Sequence, residues 1–180
     1  MKDIKLIPLT EDKLELVRTW RNSTEVSSYM YTESIITAEQ QSKWFDSVRD
    51  DKSSQYWIIE FDGKDLGLAS LTNIDNNLSS CYWAFYLGDT SVRGAGIGAK
   101  VEFKVLSHVF DELNLNKLRC EVFEFNNNVI KMHEKFGFRR EAFYREHCFK
   151  NKDWQNVIGL AMLKKEWETT KELLKTRIYG

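Results

Sequence analysis

Proline occurs once in the 180 residues, at Pro8, glycine nine times and cysteine three times. That scarcity of proline and glycine excludes a proline-rich linker, a collagen-like chain and a low-complexity tail. The cysteines, Cys81, Cys120 and Cys148, are odd in number and widely and unequally spaced. They therefore draw neither a disulfide framework nor a CxxC zinc or redox site, and a reducing cytoplasm is the expected setting. No sign of charge dominates: 26 Lys and Arg against 27 Asp and Glu leave a net charge of −1. A polycationic face for nucleic acid or anionic lipid is thus not expected. Long apolar runs are missing too. The longest, Cys81 to Leu87, is far shorter than the ~20 residues of a spanning helix, and Met1 to Leu6 lacks the apolar core of a signal segment. The expected protein is cytoplasmic, with neither a nucleic-acid nor a membrane partner.

What is present is a core: 42% of residues are apolar and 13% aromatic, with six Trp. One domain spanning 1–180, its core about 4–167, fits the usual domain size of ~100–200 residues. Ile4 to Leu9 alternates as an opening strand, and Leu14, Val17 and Trp20 share one helix face. Thr37 with Gln40 reads as a capping box ahead of a helix of roughly Ala38 to Arg49. Gln55–Phe61, Leu66–Asn73 and Ser80–Leu87 read as an antiparallel meander punctuated by Asp62-Gly63 and Asp75-Asn76-Asn77. A Gly-rich turn then leads into a long helix carrying Val101, Val105, Leu106, Val109, Phe110 and Leu113, and Lys117–Phe123 alternates as a strand. A shorter helix of about Asn128 to Phe136 stops at Gly137, two strands flank Asn151-Lys152, and Trp167 to Tyr179 is either a charged helix or a frayed end.

The turn Arg93-Gly94-Ala95-Gly96-Ile97-Gly98 opens a helix, where free amides and the helix dipole favour a phosphate or pyrophosphate. Glycine suits such a cradle because a Cβ would hold the anion off the amides. The plain alternative is a tight turn with no ligand. Read as Gly-x-Gly-x-x-Ala, with Glu121 near the end of the next strand, the string also fits a dinucleotide fingerprint. That reading loses on context, because antiparallel strands precede the turn and Gly88 to Arg93 intervenes. No Gly-Lys-Ser/Thr follows, which excludes a Walker loop.

Arg93-x-x-Gly96-x-Gly98 resembles the acyl-CoA signature of the Gcn5-related N-acetyltransferase (GNAT) family, Gln/Arg-x-x-Gly-x-Gly/Ala. Downstream, Asn126-Asn127-Asn128-Val129-Ile130-Lys131-Met132-His133-Glu134-Lys135-Phe136-Gly137-Phe138 is similar to that family's Asn-x-x-Ala-Ile-x-Leu-Tyr-Glu-Lys-x-Gly-Phe segment. The two motifs, in this order and on this strand and helix pattern, extend the resemblance from Ile4 to Trp167. It implies an α+β fold, a mostly antiparallel sheet splayed at the cofactor cleft and flanked by helices, with acetyl-CoA as donor and no metal. Trp20-Arg21-Asn22, Met30-Tyr31 and Leu163-Lys164-Lys165-Glu166-Trp167 are further similar to the branch acetylating the 4-amino group of a UDP-linked amino-dideoxy-altrose in pseudaminic acid biosynthesis. Ribosomal-protein N-terminal acetyltransferases share the Trp-Arg-Asn and Glu-Trp elements. A nucleotide sugar is therefore the first expectation for the acceptor, a protein amino terminus the alternative, and a non-catalytic acyl-CoA-binding module a third reading. A homodimer is left open.

The resemblance implies direct attack of an amine on the thioester in a ternary complex, which requires a free amine, donors on the thioester oxygen and a proton for the thiolate. It places the backbone of Phe85, Tyr86 and Leu87 along pantetheine, and the phosphates on Arg93, Gly94, Ala95, Gly96, Ile97 and Gly98. Asn126 is either a contact to the CoA arm or a helix cap. Glu121, flanked by apolar residues that would raise its pKa, is the candidate base, against a strand-edge carboxylate paired with Arg119 or Lys117. His133 stands where the family carries a proton-donating Tyr. Imidazole, with a reference pKa of ~6.5 against ~10 for Tyr, donates only if charged or relaying, and a packed histidine is the alternative. Met30, Tyr31, Phe45 and Tyr82 are candidates for the acceptor pocket or for plain core, and Arg21 for a diphosphate or a structural ion pair. His108, His133 and His147 have no metal-ligand spacing.

Overall fold

The computed structural model describes residues 3–92 and 96–180. The alternating segments pair as seven strands: β1 (Ile4–Pro8), β2 (Gln55–Phe61), β3 (Lys64–Asp75), β4 (Ser80–Leu87), β5 (Lys117–Phe123), β6 (Arg139–Lys150) and β7 (Asp153–Leu163). They form one sheet in the order β1-β2-β3-β4-β5-β7-β6. The two-residue turns Asp62-Gly63 and Asn151-Lys152 take positive φ at both positions, the twist that closes an antiparallel hairpin without splaying it.

The periodic segments are α1 (Leu14–Asn22), α2 (Thr24–Ser27), α3 (Ala38–Val48), α4 (Ile97–Ser107), α5 (Asn127–Phe136) and α6 (Lys164–Tyr179). The expected capping box is present in α3: the Thr37 hydroxyl accepts from the Gln40 amide and the Gln40 side chain accepts from the Thr37 amide. The long helix differs from its expected form in closing with a π turn, His108–Glu112, where the Leu113 amide donates to the His108 carbonyl. The segment from Trp167 onward is helical rather than frayed, because Trp167 is fully buried against Phe103 and Phe110 and its indole donates to Asp111.

α4, α5 and α6 bury one face of the sheet, with Ile97, Val101, Leu106, Ile130 and Trp167 meeting Leu71, Cys81 and Leu118. α1 buries part of the other face through Val17 and Trp20 on Ile58 and Leu68. All neighbouring strands are antiparallel except β4 and β5, which run parallel and pair only from Ser80–Tyr82 to Lys117–Arg119. Beyond that point β4 stays on β3 to Leu87 and β5 stays on β7 to Phe123, so the sheet parts between them. The expected splay is there. No helix of the described residues is long and apolar enough to cross a membrane.

Candidate active site

Strand periodicity sorts the residues of the opening onto two faces. Trp83, Phe85 and Leu87 of β4 and Leu118, Cys120 and Val122 of β5 pack on the α4/α5 side. Tyr82, Tyr86, Arg119, Glu121 and Phe123 turn the other way, toward α1 and the segment after α2. Of the cofactor residues expected from sequence, the Phe85 and Leu87 side chains lie on the first face and that of Tyr86 on the second, where the acceptor candidates Tyr31 and Tyr82 also meet the strands.

Among the described residues, no strand pairs with the β5-side edge of β4 past Tyr82, which leaves that edge of Phe85, Tyr86 and Leu87 open to a strand-like ligand. The Phe85 ring stacks on Trp83 at 5.4 Å. Gly96 caps α4 in the left-handed region, φ 75°, with no side-chain capping bond and nothing within 4 Å of where a Cβ would stand. Among the described residues the first-turn amides of α4 thus have no side-chain capping partner, as an anion cradle requires. Ile97 is buried in the core, whereas Gly98 lets α4 approach closely, since a Cβ there would sit 3.4 Å from the Met132 sulfur and 3.5 Å from the Phe85 ring. Arg93, Gly94 and Ala95 lie outside the described residues. Asn126 precedes α5 without capping it: its carbonyl accepts from the Val129 and Ile130 amides while its side chain makes no cap bond.

On the second face the Trp20-Arg21-Asn22 string has a division of labour. Trp20 lies against Gly88, where any Cβ would fall 2.1 Å from the indole. Asn22 clamps the backbone of Ile36, its amide donating to the Ile36 carbonyl at 2.9 Å and its oxygen accepting from the Ile36 amide at 2.9 Å. That clamp folds residues 28–36 over the opening. At its far end Lys150, 2% exposed, donates to the Ser27 carbonyl and pairs with Glu33. Tyr31 is consequently carried to β5, where its hydroxyl donates to Glu121 at 2.6 Å and its ring meets Phe123 edge-on. Burial and the facing Glu121 carboxylate push the Tyr31 hydroxyl well above the ordinary phenol range.

Arg21, between Trp20 and Asn22, donates to the Thr32 hydroxyl at 2.7 Å, and among the described residues it has no carboxylate partner. Burial lowers its pKa. The Tyr86 hydroxyl, which feels Arg21, is buried without a hydrogen-bond partner. Arg119 lies 4.2 Å over the Tyr82 ring and donates to Ser80, and its Nε is buried and unpaired. Met30 is half-buried on the same segment as Tyr31. Phe45 is buried in α3, which packs on α1.

Glu121 is exposed, because its apolar neighbours Cys120 and Val122 point to the opposite face of the strand and do not desolvate it. Flanking residues are the wrong ones to read for burial in a strand. Neither Lys117, paired with Glu141 at 2.6 Å, nor Arg119 is its partner. His133 is 3% exposed on α5, its Nδ1 2.7 Å from Glu102 Oε1 of α4 and its ring against Trp83 and Phe138. Burial alone would lower its pKa, but Cys120 and Glu102 beside it push it up to about 10. Burial also raises Glu102. Both directions describe one proton retained between two buried groups, so the pair is neutral as a whole.

The sequence model described as "Acetyltransferase (GNAT) domain" matches residues 3–139. The chain belongs to the GNAT acetyltransferases. It is 24% identical over 164 residues to spermidine N(1)-acetyltransferase of Escherichia coli K12, covering 91% of this chain and 88% of that protein. It is 24% identical over 156 residues to acetyltransferase PseH of Campylobacter jejuni, covering 83% and 96%. The crystal structure of spermidine N-acetyltransferase from Vibrio cholerae in complex with CoA and spermine superposes with a TM-score of 0.87 at 21% identity, covering 92% of this chain and 98% of that one. This GNAT chain is accordingly an acetyl-CoA-dependent N-acetyltransferase.

Three residues of the GNAT cleft escaped the sequence reading. Arg119 was considered only as a partner of Glu121, although its place two residues before that glutamate on a strand puts it on the same face. Glu102 interrupts an apolar helix stripe, which was the available signal. His147 reaches Tyr31 and Tyr144 from β6, with ring centroids at 5.8 and 5.1 Å, across a register shift that no periodicity announces.

Proposed function

We propose that this GNAT enzyme acetylates the primary amine of an anionic small molecule, the 4-amino group of a UDP-linked amino-dideoxy sugar, by direct attack in a ternary complex. The observation that carries the reading is Arg21: a half-buried guanidinium at the opening whose hydrogen bond goes to a hydroxyl, with no carboxylate beside it among the described residues. A guanidinium held this way answers a diphosphate. Arg119 adds a second guanidinium on that face; of the carboxylates placed there, Glu121 accepts the Tyr31 hydroxyl and Glu33 is paired with Lys150. A cationic acceptor, such as the name of the spermidine acetyltransferase relative implies for that protein, calls for the opposite balance.

In this reading the α4 amides hold the pyrophosphate of acetyl-CoA, the β4 main chain aligns pantetheine and polarises the thioester oxygen, and Asn126 meets the CoA arm. Tyr31 and Met30 offer apolar surface to the sugar or uracil. Glu121, directly or through water, takes the amine proton. Assaying thioester cleavage with a UDP-4-amino-4,6-dideoxy sugar, spermidine and a peptide amino terminus side by side tests it. The sugar nucleotide is expected to be turned over, with Arg21→Ala raising its KM by ~10-fold or more, as loss of a charge-assisted contact would, at unchanged acetyl-CoA affinity. Turnover of spermidine or peptide alone overturns the acceptor assignment.

A further inference from the structure

Where β4 and β5 part, the buried groups on the cofactor side form a cluster that direct transfer to an amine does not by itself explain. Cys120 is the first β5 residue past the last pair, Tyr82 with Arg119, and Trp83 is the next β4 residue. His133 lies between them: its ring meets Trp83 at 5.3 Å and the Cys120 side chain is beside it. Glu102 comes up from α4 to the far ring nitrogen, 2.7 Å from Nδ1, with no exposure at all. Its second oxygen is buried without a partner.

A fully buried glutamate is costly unless it does something for its partner. A buried histidine with no counter-charge sheds its proton, and a neutral imidazole that keeps its one proton on Nδ1 has none to give from Nε2. Glu102 removes that obstacle: together with the Cys120 side chain it favours the charged ring, and its contact occupies Nδ1, so that Nε2 is the ring nitrogen turned away from the carboxylate. The titratable groups against the ring are Glu102 from α4 and Cys120 from β5, and β4 contributes the uncharged Trp83.

We propose that Glu102 is a positioning residue that holds a transferable proton on His133 at the fork of the sheet, for delivery to the thiolate leaving the thioester. The inference rests on the acetyl-transfer reading of the cleft. The amine attacks the carbonyl carbon and loses its proton to Glu121 or water. The carbon–sulfur bond breaks with its electron pair on sulfur, and sulfur takes the Nε2 proton. His133 is left neutral, its remaining proton on Nδ1 and donated to the Glu102 carboxylate, whose buried negative charge is then uncompensated and draws a proton back from solvent.

Two readouts test this. In the free enzyme, the nitrogen shifts of the His133 ring followed by NMR are expected to report a doubly protonated imidazole through pH 8. In Glu102→Gln, which keeps the size and one hydrogen bond but not the charge, that proton is expected to be lost below pH 8. In turnover, Glu102→Gln is expected to lower kcat ~10-fold or more above pH 7 at unchanged acetyl-CoA affinity and to move the alkaline limb of the pH–rate profile to lower pH. Adding His133→Tyr, whose phenol carries its own proton, is expected to cancel the effect of Glu102→Gln. A neutral His133 in the wild type at pH 6 overturns the proposal even if Glu102→Gln does not fold. An unchanged pH profile with only a lower Tm overturns it too, by reducing the pair to structure. Failure of the parent reading looks different: no amine is acetylated although the ring is charged.

Discussion

Gly96 and Glu121 show how single residues set the chemistry of this cleft. Gly96 sits at φ 75° with open space around the missing Cβ, so a larger residue is opposed by backbone strain of ~1–2 kcal/mol and by what it would displace at the helix start, not by a clash. Gly96→Val is expected to fold, with a lower Tm, and to lose acetyl-CoA binding in a calorimetric titration. Unchanged affinity would move the anion cradle elsewhere. Glu121 is exposed and accepts the Tyr31 hydroxyl, a geometry suited to taking a proton through solvent. Glu121→Gln is expected to lower turnover most near neutral pH, where the acceptor amine must be deprotonated, and least at high pH. An equal loss at every pH would make it a positioning group. His133→Phe is expected to cut turnover by ~10²-fold, within the range for a general acid, with His133→Tyr restoring much of it. Full activity in a stable His133→Phe enzyme would exclude the acid role.

Elements fix where these residues meet, and one side chain decides the position of a whole segment. Asn22 holds Ile36 by two hydrogen bonds, bringing Tyr31 to β5 from ninety residues away in sequence. Asn22→Ala gives up two bonds worth ~1 kcal/mol each, and is expected to raise the KM for the acceptor several-fold while acetyl-CoA affinity stays put; equal effects on both substrates would mean that the clamp supports the fold alone. Helices and strands were legible because their periods are local: Leu14, Val17 and Trp20, or the alternation in Lys117–Phe123, need no tertiary knowledge. The three-pair contact of β4 with β5 was not a local signal, and it came from the resemblance. The environment of Glu121 was misjudged because Cys120 and Val122 are neighbours in sequence and opposites in space. Glu102 went unread because its partner lies 31 positions on, across two helices.

At the scale of the molecule, the His133–Glu102 pair joins α5 to α4 directly behind the fork between β4 and β5, and so links cleft protonation to global stability. The unfolded imidazole titrates near 6.5 and the folded one near 10. The folded state therefore binds the extra proton between these values. Its contribution is complete below 6.5 and is lost as pH rises through about 10. Removing one partner strands the other in the core, at ~3–5 kcal/mol, whereas replacing both with apolar residues of similar volume is close to neutral. His133→Phe with Glu102→Leu is thus expected to fold at least as well as either single variant and to show a flatter decline of Tm than the wild type between these pH limits. Parallel Tm curves for the wild type and the double variant would show that the pair exchanges no proton on folding in this range. A double variant that is flat in pH yet inactive would place stability and acid chemistry on the same buried proton.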